Sequence, residues 1–242
     1  MDLVQMIGSY LASDIRMATP ILLAGLGLLL INRAGLLNIG AEGTMLIATL
    51  IAVVGSFFLG NVWLGLLCAM IAGALIGGLF ALLTVTLRAN QTVVGAAINV
   101  LGSGLSATLY RIIFGVATNN APIDTFDVLA IPLVKDIPIL GEAFFQQKPI
   151  VYIAFLMVPL VSYYLFRTQS GLNLRSVGEN PKVADTLGIN VARTQYTAAI
   201  VGSAIIAMGG RVPVHGFAEF LLRGNGVRAR LYRPGCGDLR PV

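Results

Sequence analysis

From Gly43 to Leu87 the chain has no charged side chain, a run of 45 residues. As helix this run is roughly 68 Å long, more than twice the ~30 Å hydrocarbon core of a bilayer. Gly60 and Asn61 interrupt it with a turn signal. The run therefore predicts two spans, near Thr44–Leu59 and Val62–Leu87. Only 11% of the 242 residues are charged and 57% are hydrophobic, whereas a soluble domain has about 25% charged residues. One soluble core cannot hide that much apolar surface, so the composition argues against a soluble enzyme and against disorder. Cys68, Cys236 and the single His215 supply no disulfide framework, metal cluster or histidine-based triad. No metal site and no catalytic residue are expected.

Four further apolar stretches, Met17–Ile31, Thr92–Ala117, Ile150–Phe166 and Gln195–Gly210, bring the expected count to about six spans in an all-α, polytopic transmembrane helix bundle. Met1–Ala12 places Leu3, Met6, Ile7, Tyr10 and Leu11 on one helical face. It reads as a separate helix lying at the interface. Asp2 and Asp14 stand where a leader peptide has basic residues, so no cleaved leader is expected. Loop charge sets orientation. Residues 167–193 hold Arg167, Arg175, Lys182 and Arg193, which places that loop in the cytoplasm. Residues 118–149 set Lys135 and Lys148 beside Asp124, Asp127, Asp136 and Glu142, which places that loop outside. Alternation then puts Arg33 and Arg88 inside. Arg16 falls outside against the rule, and a half-inserted first helix resolves it. Ala69, Gly73 and Gly77 line one helix face, the pattern of close helix packing within a membrane.

Three polar constellations interrupt this apolar background. Asn32–Gly43 reads as a broken or re-entrant stretch whose backbone must be satisfied within protein. It contains Asn38 and Glu42, and Glu42 is either a functional ionisable group or a headgroup-level residue paired with Arg33. Asn90–Asn99 puts Gln91 and Asn99 near or within a span, as solute contacts or as interhelical glue. The third is the loop Gly171–Asn190. There Asn180 can cap a helix, Pro181 suits its first position and Gly188 suits its stop, giving a short helix Pro181–Leu187 between two linkers. Seven residues do not hold a helix alone, so the segment is either a solvated loop helix or a docking element for a cytoplasmic protein. No basic face interleaved with aromatics marks the main body as a nucleic-acid binder.

The loop SVGENPKVADTLGIN resembles the coupling loop of permease subunits of bacterial ABC importers, in the subfamily for nucleosides and simple sugars related to ribose and branched-chain amino acid permeases. RMATPILLAGLGLLLINRAGLLNIGAEGTMLIA and RANQTVVGAAIN resemble two further signatures of that subfamily, in the same order, and the resemblance runs from Met1 to about Gly210. It implies a pathway subunit in the bacterial inner membrane that is not itself an enzyme. Its implied partners are cytoplasmic ATPase subunits, a second permease subunit, an extracytoplasmic binding protein or lipoprotein, and membrane lipid. The chain would bind no cofactor, ATP being used by the partner ATPase; like the family, it lacks G-x-x-x-x-G-K-[ST]. Gly178, Glu179, Asn180, Pro181, Ala184, Asp185 and Gly188 match the coupling loop, and Asn38, Glu42, Gln91 and Asn99 match positions placed near the translocation path. An ion-coupled secondary carrier using Glu42 is the alternative, and an inactive truncated permease is a third reading.

Residues 1–210 thus form a permease domain, shorter than the family's, and residues 211–242 stand apart. The tail has a net charge of +4 out of +5 for the whole chain. The resemblance predicts further apolar spans there. Suitable codons for Arg211-Val-Pro-Val-His and for Arg230–Arg240, read one nucleotide out of phase, encode apolar segments of the family type. A frameshifted tail is therefore expected, with an anionic-lipid patch at Arg223–Arg233 as the alternative.

Overall fold

In the computed structural model the described residues are 3–114, 129–130 and 146–210. Their regular structure is helical apart from one minimal antiparallel pairing of Leu129–Ala130 (β1) with Gln146–Gln147 (β2). The long helices are α1 (Leu3–Arg33), α2 (Ala41–Leu59), α3 (Val62–Ala81, continued as a π-helix over Leu82–Thr86), α4 (Gln91–Phe114) and α5 (Pro149–Arg167). Two short helices follow, α6 (Gln169–Glu179) and α7 (Pro181–Thr186), before α8 (Val191–Gly210). Five helices are long and apolar enough to cross a membrane: Tyr10–Arg33, Ala41–Leu59, Val62–Thr86, Gln91–Ile113 and Pro149–Arg167.

Two expectations are corrected and a third is met in part. The interfacial helix expected over Met1–Ala12 is not a separate element, because α1 runs unbroken from Leu3 to Arg33. Its apolar face continues in register with the first span, and nothing between them breaks a helix. The stretch before the short helix is helical too: α6 buries Gly171, Leu174 and Val177 on one face and is capped by Thr168, whose hydroxyl accepts from the Gly171 N–H at 3.1 Å. The sixth expected span, α8, has the length of a span but less apolar character than the five. The reason lies at one end: Arg193, Thr194, Gln195, Tyr196 and Thr197, none of them buried, lower its average, while residues 198–210 hold its buried positions and pack against α1, α2 and α3.

Glycines set those contacts. A Cβ at Gly202 of α8 would stand 2.7 Å from the Gly27 carbonyl oxygen of α1, and one at Gly77 of α3 would stand 2.6 Å from the Ser203 hydroxyl of α8. The Ala69, Gly73, Gly77 face predicted for helix packing is thus turned onto α8, with Ala69 clustered beside Ala48, Ala52 and Ala207. Leu23, Ile31, Phe80 and Ile206 are fully buried around this axis. In contrast, α3 exposes Leu67, Ile71, Leu75 and Leu79, and α5 exposes Phe155, Leu156, Leu160 and Tyr163. Large apolar side chains turned outward from a bundle whose interior is small are the mark of a lipid-facing surface.

Candidate functional site

The break between α1 and α2 lies at the centre of the polar structure. α1 ends at Arg33, and Gly35 turns the chain with φ +78, a conformation that favours glycine. Leu36 then plugs into the same apolar cluster as Ile31, Phe80 and Ile206. The end of α1 satisfies the N–H groups of Ala34, Gly35 and Leu36, and side chains satisfy further backbone groups of residues 37–43, most of them from other elements. The Leu37 N–H donates to Gln91 Oε1 at 2.7 Å and the Gly40 N–H to Asn38 Oδ1 at 2.9 Å. Asn99 is used at both ends: its Oδ1 accepts from the Gly43 N–H at 2.7 Å, and its Nδ2 donates to the Ile39 carbonyl at 3.0 Å. Gly40, at the start of α2, offers no side-chain cap. Asn99 on α4 therefore caps α2 from across the bundle. Gln195 of α8 completes the set, donating through Nε2 to the Ala34 carbonyl at 3.4 Å.

Three of the four path candidates, Asn38, Gln91 and Asn99, are thus brought to one seam, with hydrogen bonds directed at backbone. For Asn99 this is the interhelical-glue arrangement. Glu42 stands apart: it is exposed, and its carboxylate has no hydrogen-bond or ion-pair partner among the described residues. The pairing with Arg33 considered from sequence is not formed.

The second assembly is α7 with its brackets. Asn180 Oδ1 accepts from the Val183 N–H at 3.3 Å, and Pro181 occupies the first turn. At the other end the Gly188 N–H donates to the Asp185 carbonyl at 2.9 Å and the Ile189 N–H to the Ala184 carbonyl at 3.1 Å, with Gly188 at φ +82. This is a Schellman stop, closed by the residue type it needs. Asn190 at once caps α8, accepting from the Arg193 N–H at 3.0 Å. The helix ends at Thr186, one residue short of the expected Leu187. Ala184 is its buried anchor, while Glu179, Asn180, Pro181, Lys182, Asp185 and Gly188 are exposed. Val183 on the helix and Leu187 at its C-cap are 52% and 73% exposed, unusual for aliphatic side chains beside so polar a six-residue helix. Beside it lies an open groove of about 580 Å³, lined by Val85 of the π-helix, Lys182, Asp185 and Gln195 among others.

The two assemblies meet at Gly178. A Cβ there would overlap the Arg33 carbonyl at the end of α1 and lie 3.2 Å from the Gly35 nitrogen. The last turn of α6 is therefore seated on the break, backbone against backbone. The motifs in the sequence gave no sign of this contact. Nor did they give the link between the π-helix and α8, where the Thr86 and Tyr196 hydroxyls share a hydrogen bond. The only advance signals were the glycines themselves. These contacts place Arg33, Arg88 and the 168–190 segment at one end of the bundle, as alternation from loop charge predicts. Near the Gln147–Ala12 contact, burial first and the Arg16 guanidinium second push the Lys148 ammonium below the usual lysine range. Residues 211–242 lie outside the described set. Among the described residues no group of three or more His, Cys, Asp or Glu side chains could hold a metal ion.

A family model described as branched-chain amino acid transport system / permease component matches residues 10–232. The chain is 36% identical over 219 residues to the guanosine ABC transporter permease protein NupQ of Bacillus subtilis, covering 88% of this chain and 69% of that one. It is 36% identical over 204 residues to the putative glucose ABC transporter permease protein TsgC13 of Haloferax volcanii, covering 83% and 60%. It is 34% identical over 221 residues to the nucleoside ABC transporter permease protein NupC of Lactococcus lactis, covering 88% and 69%. The chain thus spans roughly two thirds of the length of these relatives. No solved structure matches it.

Proposed function

Since the chain belongs to the family of branched-chain amino acid transport permease components, we propose that it forms one side of the translocation pathway of an ABC importer for nucleosides or simple sugars. The solute class rests on the names of NupQ, NupC and TsgC13. A permease component provides the path and is not itself catalytic. ATP is hydrolysed by cytoplasmic ATPase subunits, a second permease subunit completes the path, and an extracytoplasmic binding protein or lipoprotein delivers solute. The setting is the bacterial inner membrane, with α8 as a sixth span inside the five. Residues 1–210 are the permease domain.

The observation that supports this reading best is the bracketed helix α7. A six-residue helix fixed at both ends by Asn180 and Gly188, anchored by Ala184 and exposing Val183 and Asp185 with Leu187 at its C-cap, is a rigid handle. Closure of the ATPases on ATP would displace that handle. Through Gly178 the displacement would reach the α1–α2 break, and through Gln91 and Asn99 it would reach α4. This is rigid-body switching biased by nucleotide. Glu42, whose carboxylate is uncommitted, and the remaining polar atoms of Asn38 and Gln91 are the candidates for solute contact. The match to residue 232 takes in much of the 211–242 segment. The frameshift reading of that segment stands if a single-base change in the DNA opens an apolar frame, and fails if none does.

Co-purification tests the assignment. Membranes containing this chain and a cytoplasmic ABC ATPase subunit from the same organism should yield a complex that Glu179→Ala and Asp185→Ala weaken, with crosslinks from Lys182 into the ATPase. Uptake of labelled guanosine or glucose should then follow ATP and not the proton gradient. Uptake that an uncoupler abolishes while ATP is maintained would overturn the importer reading in favour of an ion-coupled carrier.

A further inference from the structure

The corner where α5 turns into α6 is cationic, and among the described residues no ion pair neutralises it. Between Glu142 and Glu179 the sequence contains no acidic residue, while Arg167 and Arg175 flank the turn. Arg175 is half-buried, and its guanidinium lies over the Phe166 ring with Cζ 5.0 Å from the centroid. Its Nε is sealed from solvent without an acceptor, and none of its other N–H groups meets one among the described residues. Glu179 lies one turn further along α6, where an ion pair is geometrically open, and none forms. A guanidinium partly withdrawn from water with its donors unmet is costly unless an anion meets it.

The position says which anion. Phe166 is 60% exposed and ends the outward face of Phe155, Leu156, Leu160 and Tyr163 on a helix long and apolar enough to span a membrane. Aromatic rings closing such a face, followed directly by arginine, mark the depth at which hydrocarbon gives way to headgroups. The abundant anion at that depth is lipid phosphate. Stacking on Phe166 covers the guanidinium face, and with Nε sealed it is the two terminal Nη groups that remain free to grip a phosphate through paired N–H···O bonds. We propose that Arg175, stacked on Phe166 and flanked by Arg167, binds the phosphate of an anionic membrane lipid at the α5–α6 corner. This inference needs only a membrane-spanning chain and is independent of the solute or of an ATPase.

Native mass spectrometry of the full chain, delipidated in detergent, provides the test, with phosphatidylglycerol, phosphatidylcholine and inorganic phosphate as probes. Arg175→Gln should weaken phosphatidylglycerol binding about fivefold, the weight of one basic residue at an anionic surface. Phe166→Leu, which keeps the charge and removes the stack, should weaken it less, and Arg175→Lys should recover only part of the loss. Arg193→Gln makes the same change in net charge at the start of α8 and should leave binding unchanged. Equal losses in the Arg175→Gln and Arg193→Gln variants, or unchanged binding in Arg175→Gln, would overturn the proposal. So would equal affinity for phosphatidylcholine, or displacement of the lipid by millimolar inorganic phosphate, which would assign a free-anion site. Loss of a bound ATPase from the Arg175→Gln variant with lipid binding intact would assign the guanidinium to a partner's carboxylate instead.

Discussion

Single residues show how little tolerance the break between α1 and α2 has. Gly178 rests on the Arg33 carbonyl, a backbone atom that cannot rotate away. Gly178→Ala should therefore cost about 1–3 kcal/mol, the usual cost of overpacking, read as a lower thermal midpoint in detergent. Gly35 needs its glycine for a different reason, the positive φ that turns the chain into the break. Lys148 carries a cost of another kind. Burial, then Arg16, lowers its pKa from 10.5, so the folded chain releases this proton more readily than the unfolded one. Between the folded value and 10.5 the unfolded chain binds more protons, and stability rises with pH across that window. Below it the penalty of the charged form is complete. Lys148→Met should thus raise the thermal midpoint near neutral pH, and the advantage should shrink as pH approaches 10.5.

At the scale of elements, α7 is held by its ends. Its six residues are too few to persist without caps, and an asparagine cap is worth about 1 kcal/mol. Asn180→Ala should therefore loosen α7 while leaving the spans intact, and co-purification of an ATPase should weaken roughly fivefold if docking requires the ordered helix. Hydrogen exchange at Val183 and Ala184, faster in the variant with α3 and α8 unchanged, checks the local part of that expectation. The caps of α7 were legible in the sequence because Asn, Pro and Gly are chosen there by local backbone geometry. The cap of α2 was not legible: its acceptor, Asn99, comes from α4, 56 residues away, and no local rule links the two. For the same reason the linker expected before α7 proves to be the helix α6, which depends on packing against α5 more than on its own polar composition.

At the scale of the whole molecule, α8 is the axis on which the bundle depends. Gly202 meets Gly27 and Ile31 of α1 on one side, while Ser203 meets Gly77 of α3 on another. Gly202→Leu should separate α1 from α8 and give protein that aggregates on size exclusion in detergent. Gly25→Leu, at a site with nothing within 4 Å of a new Cβ, should behave as wild type. Charge-free runs gave the membrane and most of the spans, because a charge at the bilayer centre is excluded whatever the fold. The ends of α7 followed from local chemistry, and the family could be read from three motifs in order. Tertiary structure alone decided which helix lies innermost, because the apolar stretch 198–210 of α8 looks like that of any span and only its packing against α1, α2 and α3 shows that it is enclosed. It also decided that Asn38, Gln91 and Asn99 meet at one seam and that Gly178 seats α6 on the end of α1. Those facts depend on approach between distant backbones, and a glycine records that closeness is allowed without recording to what.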